Sequence, residues 1–266
     1  MREQALPANK NGDNEKSKDL VGSLIHGLGV IMAFDAEDPE MTLSQVAEKT
    51  GMNRAGARRY LLTLAHLGFI HQDDRIFRLT PKVMELGYSY LSTVPISSIA
   101  QPYLDTIRDI TGEAVAVGII DGEDVVHIAK ANSKRLMAPT LTIGKRFPVI
   151  YASAGRAMLA LKPDAERDAI LDKADFTPLT DKSITSREEL DKELAKIRRQ
   201  GYALVEQEIE LGARSLAVPV YNQAGEVVAG INTLTNAAIV SKKQLVDECL
   251  PVMWDAAQEI KRALVS

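Results

Sequence analysis

Three arginines, Arg54, Arg58 and Arg59, lie close together, and no acidic residue interrupts the stretch from Lys49 to Tyr60. A guanidinium matches the paired acceptors of a guanine edge or the oxygens of a phosphate, so this cluster has the chemistry of a nucleic-acid contact. On a helix Arg58 stands one turn beyond Arg54, whereas Arg59 is rotated by about 100°. At least one of the three must therefore hold a phosphate or serve the fold. A second group is Ala152-Ser153-Ala154-Gly155-Arg156. Small residues at a helix start leave the first amide N–H groups open, and with the helix dipole they attract an anion, with Ser153 as an extra donor. Blander alternatives stand beside both readings. The arginines also suit a solvated basic face, and Ser153 an ordinary N-cap beside tight packing at Gly155.

The elements that carry the arginines run from Thr42 to Thr80. Thr42 and Gln45 make a capping box that opens a first helix burying Leu43, Val46 and Ala47, and Gly51 ends it. Asn53 caps a second helix that buries Ala57, Leu61, Leu64 and Ala65 and ends at Gly68. Its other face is expected to show Arg54, Arg58, Arg59 and Tyr60. Phe69 to His71 and Ile76 to Arg78 then form two short strands around Asp73-Asp74-Arg75. A helix with an apolar back and a guanidinium-rich front fits the DNA major groove. The candidate DNA face comprises Thr42, Ser44, Asn53, Arg54, Arg58, Arg59 and Tyr60, with Arg75 and Arg78 reaching from the wing.

Composition bounds the partners. The 266 residues suffice for more than one domain, and 45% hydrophobic with 26% charged residues is ordinary for a folded soluble chain. The formal net charge of −4 excludes a protein coated in basic surface. The first 80 residues hold ten Lys/Arg and eleven Asp/Glu, so any grip on DNA is local and calls for two copies on one operator. No apolar run approaches the ~18 residues of a membrane span. The N-terminus lacks the apolar centre of a signal peptide, and the single cysteine, Cys249, fits a reducing cytoplasm.

Residues 1–19 are polar and short of apolar anchors, the composition of a disordered tail. Leu20 to Phe34 is an apolar-periodic helix, completing a DNA-binding domain over residues 20–80. Thr80-Pro81 starts a linker helix over 81–95 that halts before Pro95, with apolar residues on more than one face for a second subunit to meet. From residue 96 to 266 helices and strands alternate. The expected elements are a helix from Ser98 to Thr111, a hairpin of Ala114 to Ile120 and Val125 to Ala129, and a strand near Met137 to Ile143. Short helices follow from Ser153 to Leu161 and Asp164 to Lys173, then one from Ser186 to Gln200. A second hairpin joins Leu216 to Tyr221 with Val227 to Thr233, and the last helix, opened by the capping box Ser241 to Gln244, reaches Leu264. No internal repeat appears. The order α-β-β-β-α-α-α-β-β-β-α predicts an α+β domain with an antiparallel sheet.

From about Ser23 to its end the chain resembles the IclR family of bacterial regulators. The residues that carry the resemblance are ARRYLLTLAHLGFI (Ala57 to Ile70), FRLTPKVMELGYSYL (Phe77 to Leu91) and IGKRFPVIYASAGRAMLA (Ile143 to Ala160). A C-terminal pattern adds Gly201, Val205, Glu208, Ser215, Leu216, Ala217, Val220, Tyr221 and Asn222, in which only Val205 departs, from an Asp or Ser. The resemblance implies a winged helix-turn-helix joined to a GAF-like α/β effector-binding domain, acting as a homodimer or a dimer of dimers. Its N-terminal part is similar to the PcaU and PobR branch, which governs breakdown of aromatic acids such as protocatechuate and 4-hydroxybenzoate.

The resemblance also places an effector, a small carboxylic acid, among Ser153, Ala154, Gly155, Ser215, Asn232 and Leu234, with Arg135 and Met137 on a neighbouring strand. Arg135 fits a surface role equally well. Leu234 stands where glyoxylate- and pyruvate-sensing members carry a polar group, and Val205 where the family usually has Asp or Ser; the two changes favour a larger, partly apolar ligand such as an aromatic ring. Enzyme chemistry finds no support. His26, His66, His71 and His127 are scattered without metal-ligand spacing, and no nucleophile elbow, phosphate loop or dinucleotide fingerprint occurs. No cofactor is expected. Two rivals remain: an enzyme or small-molecule carrier with a vestigial helix-turn-helix, and a DNA-bridging protein without a ligand.

Overall fold

Between Ser92 and Thr93 the chain divides into two compact units. The computed structural model describes residues 20–135 and 140–264. In the first unit, α1 (Gly22–Met32) precedes β1 (Glu40–Thr42), α2 (Leu43–Lys49) and α3 (Arg54–His66), followed by β2 (Ile70–Asp73) and β3 (Ile76–Leu79). Thr42 accepts from the Gln45 amide and closes the capping box of α2, and the Asn53 side chain accepts from the Gly56 amide at 2.8 Å to cap α3. Gly68, at φ +82°, turns the chain out of α3 into the wing, a conformation that a Cβ would strain.

The wing holds one strand more than the periodicity predicts. β1 pairs antiparallel with β3, Met41 opposite Phe77, so the sheet order is β1-β3-β2. Three residues are too few for an alternating signal, and only the pairing reveals them. The core joins Val30 of α1 to Met41, Val46, Leu61, Leu64, Ile70 and Phe77. After a 3-10 turn at Pro81–Val83, capped by Thr80, α4 (Met84–Leu91) buries none of its residues. Leu24, Leu28 and Met32 of α1 and Met84, Leu86 and Tyr88 of α4 are exposed.

The second unit is a six-stranded antiparallel sheet in the order β6-β5-β4-β9-β8-β7. Its strands are β4 (Ala114–Asp121), β5 (Asp124–Ala131), β6 (Arg146–Pro148), β7 (Ala203–Glu206), β8 (Ala213–Tyr221) and β9 (Val227–Asn236). The helices are α5 (Pro95–Thr111), α6 (Ser153–Leu159), α7 (Asp164–Leu171), α8 (Arg187–Gln200), the short α9 (Lys242–Gln244) and α10 (Leu250–Ala263). α5 and α10 pack on each other and on β4, β5 and β8. α6 covers the other face, where Ala154 presses on Gly230 so closely that a Cβ on Gly230 would stand 3.0 Å from it. Behind α6, a core of Val149, Ile150, Met158, Leu159, Leu190 and Ile197 ties in α8.

The order of elements agrees with the sequence reading, but several boundaries shift. α5 starts at Pro95 rather than Ser98, because proline suits the first helical turn, and it continues through Pro102. The strand expected at Met137 to Ile143 is absent from its described part, Thr140–Ile143; residues 136–139 lie outside the described residues. The pairing strand is β6, Phe147 opposite Val125, reached through Gly144 at φ +79°. α6 ends at Leu159, and β8 and β9 each extend beyond the predicted spans. Among the described residues, no helix is long and apolar enough to cross a membrane.

Candidate functional site

Helix α3 carries Arg54, Arg58 and Arg59 exposed to solvent, and none of them is ion-paired among the described residues. Lys49, the fourth basic residue of that stretch, is neutralised. Its ammonium lies 2.8 Å from Asp35 and 2.7 Å from Asp38, and those hydrogen bonds hold its pKa above the ordinary lysine value. The local positive charge therefore rests on the three arginines. Ser44 and Arg75 are exposed, the latter beside Asp74 at the tip of the wing, while Arg78 reaches Glu40 at 3.5 Å. Thr42 and Asn53 have their side-chain oxygens committed to caps.

Tyr60 corrects the sequence reading. Its half-buried ring packs against the first unit's core, 5.6 Å from the His26 ring, instead of joining the arginine face. The reason is periodicity: Tyr60 follows the buried Ala57 by three and precedes the buried Leu64 by four, so it flanks the apolar stripe.

In the second unit a cavity of about 420 Å³ opens beside the start of α6, on the sheet face that carries Gly230. Ser153 and Ala154 from α6, Ser215 from β8 and Asn232 and Leu234 from β9 all line it. Strand register brings them together: Val205 is opposite Ser215, Ser215 opposite Leu234, and Asn232 opposite Ala116. The small Ala114 and Ala116 of β4 lie under Leu141 and Leu234. Phe147, Tyr151, Val205 and Ile209 add apolar wall, and Lys145 stands at the rim, 5.0 Å from the Phe147 ring centre.

The two serines form a short relay. The Ser215 hydroxyl donates to the Thr233 carbonyl at 2.6 Å, and Ser153 and Ser215 are 2.6 Å apart. A hydroxyl has one proton, so Ser153 must donate to Ser215. As arranged, Ser153 offers the cavity lone pairs rather than its proton. A bound carboxylate would have to draw that proton round.

The start of α6 differs from the sequence reading in one respect: its N-cap is Ala152, and Ser153 is the first helical residue. Gly155 is not a lining residue. It is required because a Cβ there would collide with the Val149 carbonyl oxygen. Arg135 also lies outside the lining. Its guanidinium pairs at 2.8 Å with the buried Glu113, in the turn between α5 and β4. Met137 lies outside the described residues.

Two features of the cavity wall go beyond the sequence expectations. Arg156, only 1% exposed, makes a two-pronged ion pair with Glu208, at 2.7 and 2.6 Å, and donates to the Ile150 carbonyl. Glu208 also accepts from the Ile184 amide at 3.0 Å, so the pair locks the loop after β7 that forms one cavity wall. Both residues stand in the recognised motifs, but only the fold shows that they meet. The second feature is His127, which lines the cavity from β5 at 4% exposure. Burial pushes its imidazole pKa down to about 4, with the Asn232 side chain opposing and the Lys145 charge assisting. His127 is therefore neutral near pH 7. Apart from each other, its Nδ1 and the Asn232 Oδ1 are buried without hydrogen-bond partners among the described residues.

The described residues contain no cluster of groups able to hold a metal ion. Residues 23–74 match the IclR helix-turn-helix domain, and residues 88–262 match the C-terminal domain of bacterial transcriptional regulators of the IclR type. The chain is 36% identical over 257 residues to the Pca regulon regulatory protein of Pseudomonas putida, covering 96% of this chain and 88% of that one. It is 29% identical over 263 residues to the p-hydroxybenzoate hydroxylase transcriptional activator of Acinetobacter baylyi, covering 97% of each. The crystal structure of a transcriptional regulator from Rhodococcus sp. RHA1, 41% identical, superposes with a TM-score of 0.84 over 92% of this chain and 98% of that one. This chain belongs to the IclR family of bacterial transcriptional regulators: it is a DNA-binding regulator with an effector-binding domain, not an enzyme.

Proposed function

We propose that the chain controls an aromatic-acid catabolic operon and that its effector is an aromatic carboxylic acid held in the cavity beside α6. The cavity carries this reading. Its roughly 420 Å³ suits a single substituted ring, and its walls combine apolar Phe147, Val205 and Leu234 with a few convergent polar groups. Ser153, Ala154 and Ser215 are the proposed carboxylate end, and Lys145 supplies positive charge at the rim. The Pca and p-hydroxybenzoate regulators among its relatives support the same substrate class.

Arg54, Arg58 and Arg59 read the operator in this proposal, with Ser44 and Arg75 beside them. A homodimer or dimer of dimers is formed through the exposed apolar residues of α1 and α4 and places two copies of α3 in successive major grooves. Contact with the genome puts the protein in the cytoplasm. The effector acts by binding two arrangements of the regulator unequally.

Calorimetric titration with protocatechuate, 4-hydroxybenzoate and glyoxylate tests the effector. An aromatic acid is expected to bind and, at 100 times its Kd, to stabilise the protein by about 2.7 kcal/mol. Tight binding of glyoxylate with no binding of either aromatic acid would overturn the proposal.

A further inference from the structure

We propose that His127 and Asn232 form a charge-neutral polar pair that selects a hydroxyl group on the effector ring over a bare ring or a second carboxylate. This deepens the aromatic-acid reading and rests on it. Both side chains are more than nine-tenths buried, and both line the same cavity. They come from strands separated only by β4, whose opposing residues are small: His127 pairs with Gly118 and Asn232 with Ala116. No side chain of β4 therefore separates them, and Asn232 comes near enough to His127 to raise its pKa against the effect of burial.

The unmet hydrogen-bonding capacity names the group that belongs there. Asn232 Oδ1 is an acceptor, and His127 Nδ1 is an acceptor or a donor according to tautomer; the two side chains are close enough for Asn232 to act on the histidine, and beyond each other neither atom has a hydrogen-bond partner among the described residues. Elsewhere on the cavity wall the Ser153 and Ser215 hydroxyls, the proposed carboxylate end, bond to each other and to the Thr233 carbonyl. A phenolic hydroxyl has one proton to donate to Oδ1 or Nδ1 and lone pairs to accept with. A carboxylate would set negative oxygen against the Asn232 oxygen, with no charge on the histidine to offset it, because burial keeps His127 neutral at pH 7. An unsubstituted ring would offer neither polar atom a partner, and a site with such polar groups discriminates strongly against the analogue that lacks the hydroxyl.

The test is calorimetric titration of the full chain, and of His127→Phe and Asn232→Leu, with benzoate, 3-hydroxybenzoate, 4-hydroxybenzoate and terephthalate. For the wild type, at least one hydroxybenzoate is expected to bind about tenfold or more tighter than benzoate, with terephthalate weaker than both. In each variant the ratio of hydroxybenzoate to benzoate affinity is expected to shrink to within about threefold. A cooperative thermal unfolding transition checks separately that each variant is folded. If the variants bind with an unchanged preference, or lose benzoate and hydroxybenzoate equally, the pair does not select the hydroxyl. If the wild type binds none of the four acids, the aromatic reading itself fails and the inference falls with it.

Discussion

The front of α3 and the cavity beside α6 solve opposite problems with the same kind of residue. Arg54, Arg58 and Arg59 are exposed and without ion pairs among the described residues, their donors left for a partner. Arg156 is 1% exposed and spends its guanidinium on Glu208 and the Ile150 carbonyl. An arginine that reads an external partner must be left unpaired by the fold. One that shapes a cavity must be fully matched inside, because an unmatched buried charge is prohibitively costly. The difference teaches that basic residues here divide by what the fold has already given them, not by type.

The largest expected effect comes from breaking the internal arginine. Arg156→Met leaves Glu208 buried and unpaired, and thermal unfolding is expected to show a loss of about 3–5 kcal/mol. Replacing both partners at once, Arg156→Met with Glu208→Leu, should recover much of that loss. An external arginine should behave in the opposite way. Arg54→Ala with Arg58→Ala is expected to leave the unfolding temperature nearly unchanged while weakening DNA binding roughly 100-fold, since each good base contact is worth about 1–3 kcal/mol. Fluorescence anisotropy on a DNA site selected from a random pool measures it.

How much of each region was legible follows from the range of its contacts. The capping boxes, Asn53, the apolar back of α3 and its arginines all lie within one stretch of chain, where helical period alone orders them. The residue type of Tyr60 suggests a groove contact, whereas its spacing from Ala57 and Leu64 puts it on the flank of the buried stripe. The cavity is built differently. Ser153 meets Ser215 from 62 positions away, Arg156 meets Glu208 from 52, and His127 and Asn232 share a face only through the β5-β4-β9 register. A slip of one residue would send any of these strand side chains to the opposite face, and nothing local announces the register. The family motifs hold Ser153 and Ser215, and the resemblance adds Asn232, but neither points to His127.

His127 sharpens the contrast through pH. Its folded pKa, about 4, lies below the ordinary 6.5, so the unfolded chain binds the proton more readily. Its contribution to stability is complete above pH 6.5 and is lost as pH falls from there toward 4. Between pH 7 and pH 5 the wild type should lose about 2 kcal/mol more than His127→Phe, read from denaturant unfolding at each pH. The smallest change is Tyr60→Phe, which should alter DNA affinity by less than about twofold, because the tyrosine ring packs on the core and its loss of a hydroxyl removes no base contact.

In the proposed function an acid in the cavity governs the grip of the arginines on DNA. This control is tested most directly by measuring the affinity of the full chain for its selected DNA site with and without saturating 4-hydroxybenzoate or protocatechuate. A coupling of about 1–3 kcal/mol, a shift of roughly 5- to 150-fold in DNA affinity in either direction with at least one acid, is the expected result. An affinity unchanged by either acid, under conditions where calorimetry shows the cavity filled, would contradict the account.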